Sequence, residues 1–254
     1  MMKPIKILAI GNSFSVDATT YLHQFSLCGK REIIIGNLHF GGCSLAQHLV
    51  FFDNNDSPYE YFKNGAFKKR DYTLREALKD EDWDYITLQQ NSGNSGVYET
   101  FSPGFDLYKK IQPLTKAQFV IHKTWSYATY YRDEQFRKYL FDQRLMEKSI
   151  DKAYLSFAQE LNIKKIIPSA DVFGHARKYF GETLNRDGFH ANEKGRYLLA
   201  ALWYGFFTKE RVAEVNFLPL GYSYEENSEQ APNWEESYKL RDIVDEVLSN
   251  YDWI

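Results

Sequence analysis

Ile5-Lys6-Ile7-Leu8-Ala9-Ile10-Gly11-Asn12-Ser13-Phe14-Ser15 is the stretch on which the reading of this chain turns. Ile5 to Ile10 is a short apolar run, broken only by Lys6 and closed by Gly-Asn, the pattern of a buried strand entering a tight turn. Ser13 then stands where strand gives way to helix. That position exposes a side chain and aims the first helical amides at any anion in front of them. Asp17 is placed to cap the next helix, in which Tyr21, Phe25 and Cys28 recur at helical spacing.

Outward from there, strands alternate with helices. Glu32 to Phe40, rich in isoleucine, reads as a second strand ending at Gly41-Gly42. Asp84 to Gln89 and Ala117 to Thr124 read as the third and fourth, and Lys164 to Ile167, cut by Pro168, as the fifth. Ser44 caps a short helix to about Phe52, and Asp133 opens a long one with Ile150, Tyr154, Phe157 and Leu161 on one stripe. Asn192 caps a strongly apolar helix through Phe207, and Trp234 to Asn250 reads as a last amphipathic helix. Residues 53–71 and 93–104 read as loops and 209–231 as irregular. The alternation predicts an α/β fold, a three-layer α/β/α sandwich around a central, mostly parallel five-stranded sheet. With no repeat or linker, residues 1–254 read as one domain, a core of about 1–207 with a C-terminal extension of about 208–254.

The 44% hydrophobic and 17% aromatic content of the 254 residues supplies a core, and the net charge of −3 carries no nucleic-acid signature. Lys68-Lys69-Arg70, followed by Asp71, reads as solvated loop surface. Cys28 and Cys43 form no ligand-spaced cluster, so no metal site is expected; buried free thiols are the simpler reading, with a disulfide left open. Ile5 to Ile10 is too short for a signal-peptide core, and no apolar run approaches a membrane span of roughly 20 residues. As written the chain reads as cytoplasmic, without a membrane or nucleic-acid partner; a chain whose leader had been removed would read the same.

Asp187-Gly188-Phe189-His190 places an acid and a base three residues apart, with a glycine for the bend. The carboxylate can reach one imidazole nitrogen and leave the other for a nucleophile, and Ser13 is the hydroxyl in the right setting. Ser15 is the competing hydroxyl but is better placed as a turn or cap residue. His23, His39, His48, His122 and His175 have no acid at equivalent loop spacing and read as structural, with His39 the best candidate for a pocket wall.

These blocks resemble the SGNH hydrolase (GDSL-type lipase/esterase) superfamily, as a divergent branch. The family's strand-Gly-Asp-Ser-x-Ser matches Ile7 to Ser15 with Asn12 in place of aspartate, and its Asp-Gly-x-His-Pro-Asn-x-x-Gly matches Asp187 to Gly195 with Ala191 in place of proline. Gly42-Cys43-Ser44 fits the second block. The resemblance implies Ser13 as nucleophile, His190 as base and Asp187 as its orienting acid. It implies an oxyanion hole from the amides of Ser13 and Gly42 with one side-chain amide. The third block departs from the family: Gln89-Gln90-Asn91-Ser92 stands where Gly-x-Asn-Asp is usual. Alternation points Gln89 and Gln90 to opposite faces; Gln90 is favoured as donor for its reach, with Asn91 as the alternative. The implied activity is hydrolysis of a small-molecule ester with no cofactor; the bulky aromatics after the fourth strand suggest a small acyl group, acetyl by preference, and an acylated carbohydrate. An acyltransferase of the same fold and a non-catalytic carbohydrate-binding relative are the competing readings. Trp125, Tyr127, Tyr130 and Tyr131 follow the fourth strand, where a pocket wall is expected, with core packing as the rival reading.

Overall fold

The structure is a computed structural model that describes residues 2–219 and 231–251. Its described strands are β1 (Ile5–Gly11), β2 (Ile33–His39), β3 (Tyr59–Lys63), β4 (Ala66–Tyr72), β5 (Tyr85–Leu88), β6 (Gln118–Lys123) and β7 (Ile166–Pro168). They form one sheet in the order β4-β3-β2-β1-β5-β6-β7. Pairing is parallel from β2 through β7, and β1 at the centre pairs Ile7 with both Ile35 and Tyr85. A central strand covered on both faces must be apolar along its length, and every residue of β1 except Lys6 is buried.

The sheet has seven strands rather than five because β3 and β4 form an antiparallel hairpin within the stretch read as loop. Asn64 and Gly65 both take positive φ, 55° and 79°, as a two-residue hairpin turn demands. Lys68-Lys69-Arg70 accordingly lies on an exposed edge strand rather than in a loop, where its charges discourage pairing with another chain. At the opposite edge, β7 exposes little unpaired backbone. The Tyr251 hydroxyl donates to Ile166 O and accepts from Ile166 N, and Pro168 has no N–H to offer.

The helices are α1 (Ser13–Thr19), α2 (Leu22–Leu27), α3 (Leu45–Asn54), α4 (Leu74–Lys79), α5 (Ser102–Ile111), α6 (Glu134–Arg137), α7 (Gln143–Glu160), α8 (Ser169–Phe180), α9 (Glu193–Thr208) and α10 (Trp234–Ser249). Helix α9 is the buried centre of one layer, touching α1, α2, α8 and α10, while α3 packs on α5 and α7 on β6. Residues 197–207 of α9 are all buried, which explains their near-continuous apolar sequence. Ser44 and Asn192 cap α3 and α9 as expected. Asp17 does not cap α1; Asn12 does, accepting from Phe14 N, and Asp17 is buried one turn inside. Asp133 caps only the short α6, because the chain turns at Leu140 and Phe141, both at positive φ, before Asp142 caps the long α7. The stretch 93–104 forms 3₁₀ turns and the start of α5. Within 209–231 the described part holds a 3₁₀ turn at Val212–Glu214, and residues 220–230 lie outside the described residues. Both cysteines are free thiols, Cys43 buried and Cys28 exposed. No helix among the described residues is long and apolar enough to cross a membrane.

Close packing across β2 makes one glycine indispensable. A Cβ on Gly36 would stand 2.5 Å from the Tyr61 hydroxyl oxygen and 2.7 Å from the Trp83 ring, and that hydroxyl is held by Asp80 at 2.6 Å. Gly36→Ala is therefore expected to destabilise the fold by about 1–3 kcal/mol through overpacking, read as a lowered urea midpoint at unchanged m-value.

Candidate active site

The site is built where β1, β2 and β5 end. Asn12 closes β1 with its side-chain oxygen accepting from Phe14 N at 3.0 Å and Gln89 Nε2 at 2.8 Å. Its amide nitrogen donates to Cys43 O at 3.0 Å, fixing the glycine loop after β2. Gln89 Oε1 faces His122 Nδ1 at 2.7 Å, and His122 Nε2 faces Ser169 Oγ at 3.1 Å. Burial lowers the His122 pKa to about 3, so the ring is neutral; it donates to Gln89 and accepts from Ser169.

Ser13, as the first residue of α1, has an amide with no intrahelical acceptor. Its Oγ lies 2.8 Å from His190 Nε2, and His190 Nδ1 lies 2.5 Å from Asp187 Oδ2. An ionised carboxylate can only accept, so Nδ1 carries the ring proton and Nε2 is left to accept from the Ser13 hydroxyl. Asp187 Oδ1 accepts from the backbone N–H groups of Phe189 and His190 at 3.1 and 2.8 Å. Burial pushes the Asp187 pKa up, but the His190 ring and these amides outweigh it and hold the carboxyl below its usual range. Gly188 takes φ +93°, and a Cβ there would meet the Tyr131 ring at 2.7 Å.

This acid–base loop is tied down on every side. Asn185 Nδ2 donates to the carbonyls of Phe189 and His190, and Trp125 Nε1 donates to Phe189 O at 2.8 Å. Asp17 accepts from Arg186, Ala191 N and Arg196. The His190 ring packs against Phe189, centroids 3.9 Å apart, with Phe14 at 5.9 Å. Sequence reading missed Asp17 in this role. The available signal was an acid one helical turn after Ser13 on a helix whose other inward residues are small or apolar.

Two expectations are corrected. Gln90 is buried and its amide is spent elsewhere: Nε2 donates to the carbonyl and hydroxyl of Thr100, and Oε1 accepts from Leu45 N and Asn91 N. Asn91, one residue on, instead donates to Gly42 O at 3.2 Å, while its buried Oδ1 has no hydrogen-bond partner. Trp125 is no pocket wall. It is fully buried, stacked between Phe14 at 4.3 Å and Phe173 at 4.7 Å. Tyr127 is buried as well, donating to Ser92 Oγ, whereas Tyr130 is 55% exposed and Tyr131 packs on Phe189. Ser15 is buried and donates to Asn12 O. His39 ends β2 half-buried, 3.3 Å from Glu60. His48 is fully buried against the Tyr59 hydroxyl.

A cavity of about 680 Å³ lies apart from Ser13, Asp187 and His190, between α7, α8, α10 and β7. Its buried cation, Lys123, is already held 2.6 Å from both Asp151 and Asp171, and the candidate site is the hydrogen-bonded line of Asp187, His190 and Ser13 rather than this cavity. Among the described residues no group of three or more His, Cys, Asp or Glu is placed to hold a metal ion.

The central, mostly parallel sheet flanked by helices is the fold of solved SGNH hydrolases, here in a divergent form. Residues 6–232 match the family described as "Domain of unknown function (DUF4886)", and the chain belongs to that family. A DUF4886 family protein from Bacteroides uniformis ATCC 8492 superposes with a TM-score of 0.88 at 34% identity, over 98% of this chain and 96% of that one. A candidate SGNH hydrolase from Slackia heliotrinireducens shares the fold at 21% identity and TM-score 0.57, over 81% of this chain and 100% of that one. So does a catalytic mutant of an acetylxylan esterase from Geobacillus stearothermophilus, at 13% identity and TM-score 0.54, over 85% and 97%. No curated protein matches the chain.

Because the folded Asp187 pKa is depressed, its stabilising contribution is present above the ordinary carboxylate range and lost as pH falls through the lower folded value. The stability difference between wild type and Asp187→Asn should therefore hold steady from neutrality to about pH 5 and shrink below about pH 4, measured by urea unfolding. Since Asp187 is 40% exposed, solvent screening keeps the difference small.

Proposed function

We propose that the chain is a serine esterase that hydrolyses a small acyl ester. The observation that carries this reading is the unbroken line from Asp187 Oδ2 through the His190 ring to Ser13 Oγ, at 2.5 and 2.8 Å. On this reading Ser13 attacks the ester carbonyl while His190 takes its proton, and Asp187 stabilises the imidazolium. The tetrahedral oxyanion is held by the Ser13 and Gly42 amides and by Asn91, whose Nδ2 has a second hydrogen beyond the one given to Gly42 O. His190 then protonates the leaving alcohol, and water releases the acyl group by the same route.

The proposed acyl group is acetyl and the proposed alcohol a carbohydrate. Tyr131 and Phe189, with centroids 5.2 Å apart beside His190, offer an aromatic surface for a sugar ring, in the role first expected of Trp125. The acetylxylan esterase that shares the fold supports the same substrate class.

Peptide mapping after fluorophosphonate labelling should find the label on Ser13 alone, and Ser13→Ala should lose several orders of magnitude in kcat. Acetyl esters should turn over faster than octanoyl esters, and acetylated oligosaccharides should release acetate. A label on another residue, or equal labelling of Ser13→Ala, would sink the assignment; a preference for octanoate would sink only the substrate.

The oxyanion donor is tested separately. Asn91→Ala should lower kcat by about 10²–10³ with KM little changed. Gln90→Ala should act on stability, because it leaves the Leu45 and Asn91 amides without their acceptor. Steady-state kinetics and thermal unfolding of both variants separate the two roles, and the reverse ranking would return the donor to Gln90.

A further inference from the structure

We propose that Asp17 is a positioning residue that sets the contact between Ser13 and His190. The inference rests on the esterase reading above and deepens it. Asp17 is fully buried and lies four residues after Ser13, one turn along α1 on the same face. Its Oδ1 accepts from Arg186 at 3.0 Å and from Arg196 Nε at 2.9 Å. Its Oδ2 accepts from Arg186 at 3.2 Å and from the Ala191 backbone N–H at 3.0 Å. Arg186 immediately precedes Asp187, and Ala191 immediately follows His190. One carboxylate on the nucleophile's helix therefore grips both ends of the four-residue acid–base loop.

The rest of the network holds that carboxylate in place. Arg196 also donates to Glu193 at 2.6 Å, and the Tyr21 hydroxyl donates to Glu193, so two carboxylates face two guanidiniums in a largely dry layer between α1 and α9. Arg186 donates in addition to the Ala191 carbonyl, closing a ring of bonds around the loop's exit. An asparagine at position 17 has the same shape but a single acceptor oxygen, and would turn an N–H₂ toward guanidinium donors. It can satisfy only part of the four bonds, and a buried cation that loses its counter-charge drives local rearrangement. The loop would then be held at its Trp125 and Asn185 side but not at its helix side. A displacement of about 1 Å at a reacting pair costs on the order of 10²-fold in rate.

The test reads Asp17→Asn in two ways. The first is ester kinetics: kcat should fall about 10²-fold with KM held, since Asp17 touches no substrate. The second does not depend on turnover: ¹⁵N NMR of the His190 ring should show Nε2 shifted by its hydrogen bond from the Ser13 hydroxyl in the wild type, a signal that Ser13→Ala removes, and the loss of that signal in Asp17→Asn. If the wild type hydrolyses no ester, the esterase reading fails, while the imidazole signal still decides the role of Asp17. A folded Asp17→Asn that keeps the signal, or that loses it with kcat unchanged, overturns the proposal. Should Asp17→Asn fail to fold, Arg186→Gln takes the same two readings, because that side chain reaches solvent and removes one arm of the grip.

Discussion

Three strand ends converge on the amide of Asn12, and the placement of Ser13 and of the glycine loop after β2 follows from that. Its oxygen receives the first turn of α1 and the Gln89 side chain at the end of β5; its nitrogen holds the Cys43 carbonyl beyond β2. The aspartate usual at this position in the SGNH pattern could accept the first two bonds but could not donate the third. Here the loop bearing Gly42 presents a carbonyl, and the side chain facing it must be a donor. The change from aspartate to asparagine thus goes with the orientation of the Cys43 peptide, and Gln89 in place of a glycine supplies the donor that fills the other side.

That arrangement is costly unless complete. Asn12, Gln89, His122 and Ser169 are all buried, and an unpaired amide at such a place would cost about 1–3 kcal/mol. Each bond in the chain fixes the direction of the next, from the Ser169 hydroxyl through a neutral His122 to the turn before Ser13. A fully satisfied polar chain in a low-dielectric core has one arrangement rather than several. The turn before Ser13 inherits that rigidity from residues that lie 77–157 positions beyond Asn12 along the chain.

What the sequence made legible was what is local. The apolar runs of β1, β2, β5 and β6, the Ser44 and Asn192 caps, and the pairing of Asp187 with His190 are all decided within a few residues. The β3–β4 hairpin was misread as loop: Asn64-Gly65 between Tyr59-Glu60-Tyr61-Phe62 and Ala66-Phe67 was its signal, but the polar residues on either side masked it. The Gln90 reading extended strand alternation past Leu88, where β5 ends, and the rule has no force once the backbone leaves the pleat. Trp125 follows a strand and so read as a pocket wall with core packing as the rival; β6 delivers it between Phe14 and Phe173, and the packing reading is the one that holds. The Asp17 contacts to Arg186 and Arg196 span 169 and 179 residues, and no local pattern announces a pairing at that distance.

On the esterase reading, the surroundings of the His190 ring set the direction from which a substrate arrives. Phe189 and Phe14 stand on its apolar sides, so water is kept from the Ser13–His190 contact there, and that hydrogen bond is stronger for it. The glycine loop after β2 is different: a Cβ on Gly41 or Gly42 would have no neighbour within 4 Å. On the esterase reading the carbonyl therefore approaches over this loop, which puts its developing oxyanion against the Gly42 amide and the Asn91 side chain rather than against the aromatic wall. The same geometry leaves the alcohol portion beside Tyr131 and Phe189. The open loop and the closed ring wall thus work as one constraint, since a substrate turned end for end would present its alcohol to the amide donors and its carbonyl to rings that offer it no hydrogen bond.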